Sequence, residues 1–296
     1  MSPSSHRRAV GLLVAALTCL ILLDASGKWL GAAGMPVAAS TWSRYAGHLL
    51  VALAIFLPLH GLAVLRTAHP GRQLLRGSLM VLVTMLYFAA LVRMPLAQAT
   101  AVFFITPIIT TVFATVFLGE RPGWATWAAV ACGFAGVLIV VRPGTDLPTD
   151  GVLLALAAAA CNGAYQTLTR AQAQADSPQV QVAYAGLVGA AIMTAAAPWW
   201  WSPGWWAAPT LTALDWAVFA ATGVLGAAGH LLLAGAYRIA EASRIAPWGY
   251  LQMLLSVVIG WLVFGDVPDA LALLGMAIIA ASPQLARLPQ LRARRR

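Results

Sequence analysis

Charge is what this 296-residue chain lacks most. Charged residues make up 9% of it, where a soluble domain carries about 25%, and that excludes a soluble globular fold. Lysine occurs once, at Lys28 near the end of an apolar stretch, so no buried lysine is available for a retinal-type Schiff base. The three cysteines, Cys19, Cys132 and Cys161, are scattered through apolar runs. Their spacing fits neither a metal-ligand set nor a disulfide framework, and packing is their simplest role. An HExxH motif is absent, and no Ser/His pair sits in a recognisable nucleophile turn. The acids of "LGE" at 118–120 and "FGD" at 264–266 stand at opposite helix ends, so they cannot face each other as the dyad of an aspartyl intramembrane protease. No linker or low-complexity segment leaves room for a soluble catalytic domain. The chain reads as a non-enzyme without cofactor or metal. A channel or a structural scaffold remains as a rival, and saturable, stereoselective exchange would separate a carrier from either.

What the chain does have is apolar length. Hydrophobic residues make up 61% and mean hydropathy is +0.81. Runs of about 20 apolar residues, enough to cross a bilayer, follow one another at 9–30, 37–58, 73–92, 95–118, 123–141, 151–170, 178–199, 214–237, 242–264 and 268–288. The fold class is therefore an all-α integral membrane protein with ten transmembrane helices. Basic residues mark cytoplasmic loops better than they mark a nucleic-acid site here. With the N-terminus inside, fourteen of the 18 fall on the inner side, among them Arg7, Arg8, Arg76, Arg121, Arg244 and Arg294 to Arg296. Lys28, Arg44, Arg93 and Arg142 fall towards the outer side. Both termini are expected in the cytoplasm. Arg7-Arg8, the apolar stretch after them and "DASG" also resemble a secretory signal, whose cleavage would discard the first helix. The cluster "WWWSPGWW" at 199–206 reads as an interfacial anchor.

The chain also repeats itself. "FLGERP" at 117–122 and "VFGDVP" at 263–268 share Gly, acid and Pro in the same order. Residues 99–124 slide onto 245–270 without a gap, an offset of 146. Each copy is the fourth span of a five-span set, and an odd number of spans inserts the second set upside down. Inverted repeats are a signature of secondary transporters, with the site near the interface of the halves. The expected units are residues 1–145 and 146–296. The acid in each turn is expected to cap or orient its hairpin.

The stretch "RMPLAQATAVFFITPIITTVFATVFLGERP" with "GFAGVLIVVRPG", and its later counterpart "LAGAYRIAEASRIAPWGYLQMLLSVVIGWLVFGDVPDALALLGMAII", resemble the EamA-type repeats of the drug/metabolite transporter superfamily. The resemblance covers nearly the whole chain. It implies ten helices in two inverted five-helix repeats around a central cavity, in a bacterial inner membrane. It also implies export of amino acids, aromatic ones included, or carriage of other metabolites such as nucleotide-linked compounds or drugs. Pro107 stands where the second copy has Met253, and Pro247 faces Ala101, so the cavity is expected to be asymmetric.

Polar residues inside the spans are the site candidates, because a charge there costs a few kcal/mol. Asp24 and Lys28 lie four apart on one helical face, in the favourable order for an ion pair, and are expected to gate or close the outer side. Arg44 suits a carboxylate through two hydrogen bonds, and it matches an Arg that the family often carries early in its second helix. Trp42, Tyr45, Thr84, Tyr87 and Phe104 add polar and aromatic surface from the first half. Asn162, Tyr165 and Gln166, with Thr169, share a side of the sixth span, and His230, Tyr250 and Gln252 are expected at one depth. For any single aromatic, packing is the plainer role. The set together, apolar walls with a few placed polar groups, is what a small-molecule site needs. The expected partners are a small solute and membrane lipids, with the proton as a candidate coupling ion acting at Asp24 or His230.

Overall fold

The computed structural model describes residues 3–142, 147–171, 176–202, 204, 211–240 and 246–293. Arg244, Arg294 to Arg296, Trp205, Trp206 and the expected boundary at 145–146 lie outside the described residues. Every regular element described is helical: α1 (Pro3–Ala32), α2 (Val37–His60), α3 (Pro70–Arg93), α4 (Leu96–Phe103), α5 (Thr106–Leu118), α6 (Trp124–Val141), α7 (Thr149–Ala171), α8 (Pro178–Ala195), a short α9 (Ala197–Trp200), α10 (Ala213–Ile239), α11 (Leu251–Phe264) and α12 (Ala270–Ala293). Taking α4 and α5 as one, seven stretches are long and apolar enough to span a membrane, and three shorter apolar helices bring the total among the described residues to ten. Hydrocarbon offers the backbone no hydrogen-bond partner, so the helix is the form these runs must take.

Local chemistry sets the ends. Pro70, Pro107 and Pro178 stand in the first turns of α3, α5 and α8, where a missing N–H costs nothing. Thr212 and Asp215 form a reciprocal capping box at the start of α10. The run at 95–118, read as one span, is in fact two helices. Pro107 cannot donate back into the preceding turn, so α4 stops at Phe103 and α5 starts at Thr106. The second half breaks in its own way, with a 3₁₀ turn over Ala246–Tyr250 before α11.

The repeated turns have the same geometry. Gly119 ends α5 at φ 69°, and Gly265 ends α11 at φ 70°, a left-handed cap that glycine adopts at little cost. The next amide donates six residues back in both, Glu120 to Ala114 at 3.2 Å and Asp266 to Gly260 at 3.0 Å. These turns follow the fourth and ninth spans and so lie on opposite faces of the bundle, which is the inversion itself.

Packing obeys the same exchange. The equivalents of α1, α2 and α3 in the second half are α7, α8 and α10. The pair α1 with α10 has its counterpart in α7 with α3, and α2 with α10 in α8 with α3. The fifth and tenth spans, α6 and α12, pack on each other. With lipid on the outside, helices gain by close approach of small residues. A Cβ on Gly136 would stand 2.8 Å from the carbonyl oxygen of Gly275, and one on Gly275 2.7 Å from that of Gly136. Phe104 and Tyr250, equivalent at the 146-residue offset, meet with ring centroids 5.6 Å apart, which places them on the pseudo-twofold axis.

Candidate functional site

A cavity of about 310 Å³ lies between the two halves. Arg44, Tyr45 and His48 of α2 and Arg76 and Met80 of α3 line one side. Residues of α7, α8 and α10, among them Tyr165, Thr169, Gln181, His230 and Tyr237, line the other. Each helix contributes at helical spacing: 44 and 48, 76 and 80, 165 and 169, 181 and 185, 230 with 234 and 237. The lining runs from Arg44, in the first third of α2, to Tyr237 near the face that carries the N-terminus, here called the N-terminal face.

Thr84 is the hub of the wall on α2 and α3. Arg44 donates to its hydroxyl at 2.8 Å, and the Tyr45 hydroxyl lies 2.8 Å from it. Tyr45 also donates to the Met80 carbonyl at 2.7 Å. The guanidinium of Arg44 sits 5.4 Å from the Tyr45 ring centroid and 5.9 Å from that of Phe88. Arg76, 2% exposed, donates to the Tyr165 hydroxyl at 3.1 Å, to Gln73 Oε1 at 3.1 Å and to the Gln181 carbonyl. Gln73 passes the connection on to Asp176 at 2.7 Å, which also accepts from Thr67 at 2.8 Å. This chain ties the start of α3 to the start of α8 at the cavity mouth. His48 and His230 face each other with centroids 6.0 Å apart. Among the described residues, the buried Nε2 of His230 and Oγ1 of Thr169 have no hydrogen-bond partner.

Of the residues singled out from the sequence, Arg44, Tyr45, Tyr165 and His230 meet in this cavity, and Thr84 stands directly behind them. Others go elsewhere. Tyr87 is buried against Thr100 at 3.3 Å and against the Phe103 ring at 4.5 Å. Phe104 and Tyr250 line a separate space of about 150 Å³. Gln166 lines a polar recess near the turn at 119–122. Trp42 donates to Thr194 at 3.0 Å on a more exposed edge. Asn162 and Gln252 are half-buried and outside the lining.

Asp24 and Lys28 do not pair with each other, contrary to expectation. The stem of Lys28 reaches across the bundle, and its Nζ lies 3.2 Å from Asp266 and 5.2 Å from the Phe264 ring centroid, while donating to the Met94 carbonyl at 2.9 Å. Asp24, one turn deeper, is buried, and the cation that acts on it is Arg44. A long flexible amine serves acids near water more readily than one shielded in the bundle. The acid of the second turn therefore ties α1 to the far half rather than capping its own hairpin.

Among the described residues, Lys28–Asp266 is one of three ion pairs with a common pattern. Arg93 meets Asp150 at 2.7 Å, and Arg142 meets Asp269 at 2.6 Å. All three lie on the face opposite the N-terminus, and each joins a cation of the first half to an acid of the second. Trp29 adds a hydrogen bond to Asp215 across the same divide, 2.7 Å long. The hydrogen bond from Arg142, aided by the Ala272 amide, holds the Asp269 carboxyl below the usual carboxylate range. The molecule is thus tied shut between its halves at one face, with its cavity towards the other.

Arg76 and His48 escaped the sequence reading. Arg76 was counted as a loop charge, yet it continues the stripe of Met80, Thr84 and Tyr87 on one face of α3. His48 stands one turn after Arg44.

Comparison with known proteins agrees with this architecture. The EamA-like transporter family model matches twice, over residues 7–142 and 149–285. The chain is similar to a riboflavin transporter of Rhizobium johnstonii, 31% identical over 93% of this chain and 90% of that one. It is 26% identical to an S-adenosylmethionine uptake transporter of Rickettsia felis, over 77% and 76% of the two chains. With the pseudopaline exporter CntI of Pseudomonas aeruginosa it shares 28% identity over 84% and 86%. A solved crystal structure superposes with a TM-score of 0.67 over 97% of this chain and 99% of that one; at 22% identity it speaks for the fold alone. The chain belongs to the EamA-like transporter family, within the drug/metabolite transporter superfamily, and is a small-molecule membrane transporter rather than an enzyme.

Proposed function

We propose that this chain moves a small aromatic or heterocyclic metabolite across a bacterial inner membrane by alternating access, with residues 1–145 and 146–296 as the two moving units. One observation carries the reading. The cavity draws its walls from both halves and lies towards one face, while ion pairs between those halves tie the other face shut. Rocking the halves would break the pairs and carry the same walls to the far side. With both termini cytoplasmic, this conformation is the one open to the cytoplasm.

The cavity volume of about 310 Å³ is at the lower end for small-molecule sites, which suits one ring system rather than a large conjugate. Tyr45 and Tyr165 supply aromatic walls, Arg44, Arg76 and His230 supply polar contacts, and Thr84 orients Arg44. Asp24 sits behind Arg44, and Lys28 belongs to the closing contacts. Riboflavin, named for one relative, is the first solute to test. Amino-acid export is the second, favoured by the single hydrogen bond of Arg44 among the described residues, which leaves donors for a carboxylate. Proton coupling would act through Asp24, His48 or His230.

The test is flux through liposomes holding purified protein, with labelled riboflavin, aromatic amino acids and S-adenosylmethionine, with and without a pH gradient. Saturable exchange that is lost in Tyr165→Ala supports the reading. Absence of saturable flux for every solute, under either condition, rejects it.

A further inference from the structure

We infer that the transported solute is an anion, and that its carboxylate or phosphate is held by Arg44 and Arg76. The inference rests on the carrier reading above and narrows its substrate class. Among the described residues, the cavity is lined by two arginines and two histidines and by no acid. A guanidinium inside a membrane protein pairs with an ionisable group of opposite sign or with backbone carbonyls, and among the described residues a direct carboxylate partner is what Arg76 lacks. Its donors go to a phenol, a side-chain amide and a backbone carbonyl, all neutral. The acid nearest in that chain, Asp176, makes no direct contact with Arg76 and reaches it only through Gln73. Arg44 has Asp24 behind it, yet of its five N–H donors one is engaged in a hydrogen bond among the described residues, and that bond goes to Thr84. Two buried polar atoms in the lining, His230 Nε2 and Thr169 Oγ1, lack partners among the described residues. A buried polar atom without a partner is costly, and these two stand in the same cavity as the arginines.

At the sealed face, by contrast, the cations of the first half meet acids of the second. Among the described lining residues the second half offers no acid, and Asp176 reaches Arg76 only through Gln73, so the direct anionic partner is assigned to the solute. Tyr45 and Tyr165, each beside one arginine, would hold the body of a ring whose acidic substituent reaches the guanidinium groups. A permanently cationic solute such as a sulfonium is rejected by the same arrangement.

The experiment compares compounds that differ only in the anionic group. Riboflavin is set against riboflavin 5′-phosphate, and indole-3-acetamide against indole-3-acetate. Binding to the purified full-length protein is measured by thermal shift and titration, and flux is measured in liposomes. The anion of at least one pair should bind about tenfold more tightly, the scale of one charge-assisted hydrogen bond. Which pair shows the preference separates phosphate from carboxylate. Arg76→Gln should bring the preference within about twofold, and Arg76→Lys should keep part of it. Because Arg76 also joins α3 to α8, Arg44→Gln serves as the second variant and should reduce the same preference. The inference is overturned if the neutral member binds as tightly as the anion in both pairs. It is equally overturned if the preference survives both glutamine variants. Flux of a neutral solute without anion preference would sink this inference and leave the carrier reading standing. Tight anion binding without flux of any solute would overturn the carrier reading, and with it the claim that the anion is transported, leaving only an anion-binding site at the arginines.

Discussion

Replacing Lys28 with methionine cuts a tie between the halves while keeping an apolar stem in the space the lysine now fills. The contacts to count are those that must separate when the sealed face opens. The Met94 carbonyl bond is within the first half and survives. The ion pair to Asp266 and the approach to the Phe264 ring cross the divide and are lost. The side chains of the ion pair are 15% and 23% exposed, which puts it near the upper end of the range for solvent-accessible pairs, about 1 kcal/mol. The cation over the ring adds about 0.5 kcal/mol. Together, about 1.5 kcal/mol shifts the balance roughly tenfold towards the state open away from the N-terminus.

A cysteine at Ala185, in the cavity wall, reads that shift once Cys19, Cys132 and Cys161 are replaced. The label is a membrane-impermeant maleimide, applied to vesicles of each orientation. Labelling from the face opposite the N-terminus should rise about tenfold in Lys28→Met, because that state is the minor one. Labelling from the N-terminal face should change less than about twofold, since the major state has little to lose. The reversed pair Lys28→Asp with Asp266→Lys should return most of the way to the parent. Unchanged opposite-face labelling in Lys28→Met would refute the role given to this contact, and so would failure of the reversed pair to differ from Lys28→Asp alone.

Other consequences follow from the same contacts. Gly275→Ala should lower the midpoint of thermal unfolding in detergent by several degrees. The added methyl meets the Gly136 carbonyl at 2.7 Å, and overpacking of about 1–3 kcal/mol exceeds the roughly 1 kcal/mol gained in helix propensity. Phe104→Ala and Tyr250→Ala should be non-additive in a double-mutant stability cycle by about 0.5–1.5 kcal/mol, the coupling of an aromatic pair. Tyr45→Phe should weaken solute binding severalfold through loss of the hydroxyl that fixes Thr84 beside Arg44, with total expression unchanged. The Asp269 carboxyl is held below its ordinary value by Arg142, so its contribution is present above the unfolded carboxylate value, about 4, and is lost as pH falls through the lower folded value. Asp269→Asn should flatten the acid limb of a stability-versus-pH curve; an unchanged limb would place that dependence elsewhere.

The parts of the fold that a bilayer or a backbone angle dictates were legible in the sequence. A membrane fixes the length of each apolar run, and a left-handed cap calls for glycine, so ten spans and the 146-residue repeat could be read from residue types alone. The candidate site was half legible. Arg44, Tyr45, Tyr165 and His230 stand out because polar residues in apolar runs are few, and each does line the cavity. Arg76 was lost because its nearness to a helix end made it look like a topology charge. Following its helix face to Met80 and Thr84 would have recovered it. The partner of Lys28 was beyond reach, since nothing local links positions 28 and 266; only the packing of α1 beside α11 brings them together.

The division of charge between the halves gives the two faces different contacts. Two identical repeats would give each face the same contacts and no preference between them. Here the first half supplies the cations at both levels: Lys28, Arg93 and Arg142 at the sealed face, Arg44 and Arg76 in the cavity. The second half answers with Asp266, Asp150 and Asp269 at the sealed face and with neutral groups in the cavity. Opening the sealed face therefore breaks three opposite-charge contacts. Closing the cavity over its two arginines, with no acid among the described lining residues, would bring two cations into a poorly solvated space. An empty carrier of this design resists the transition for both reasons, and a bound anion removes the second. Obligatory exchange, in which the loaded carrier crosses faster than the empty one, is what this charge distribution favours, and counterflow faster than net flux in the same liposomes is its signature.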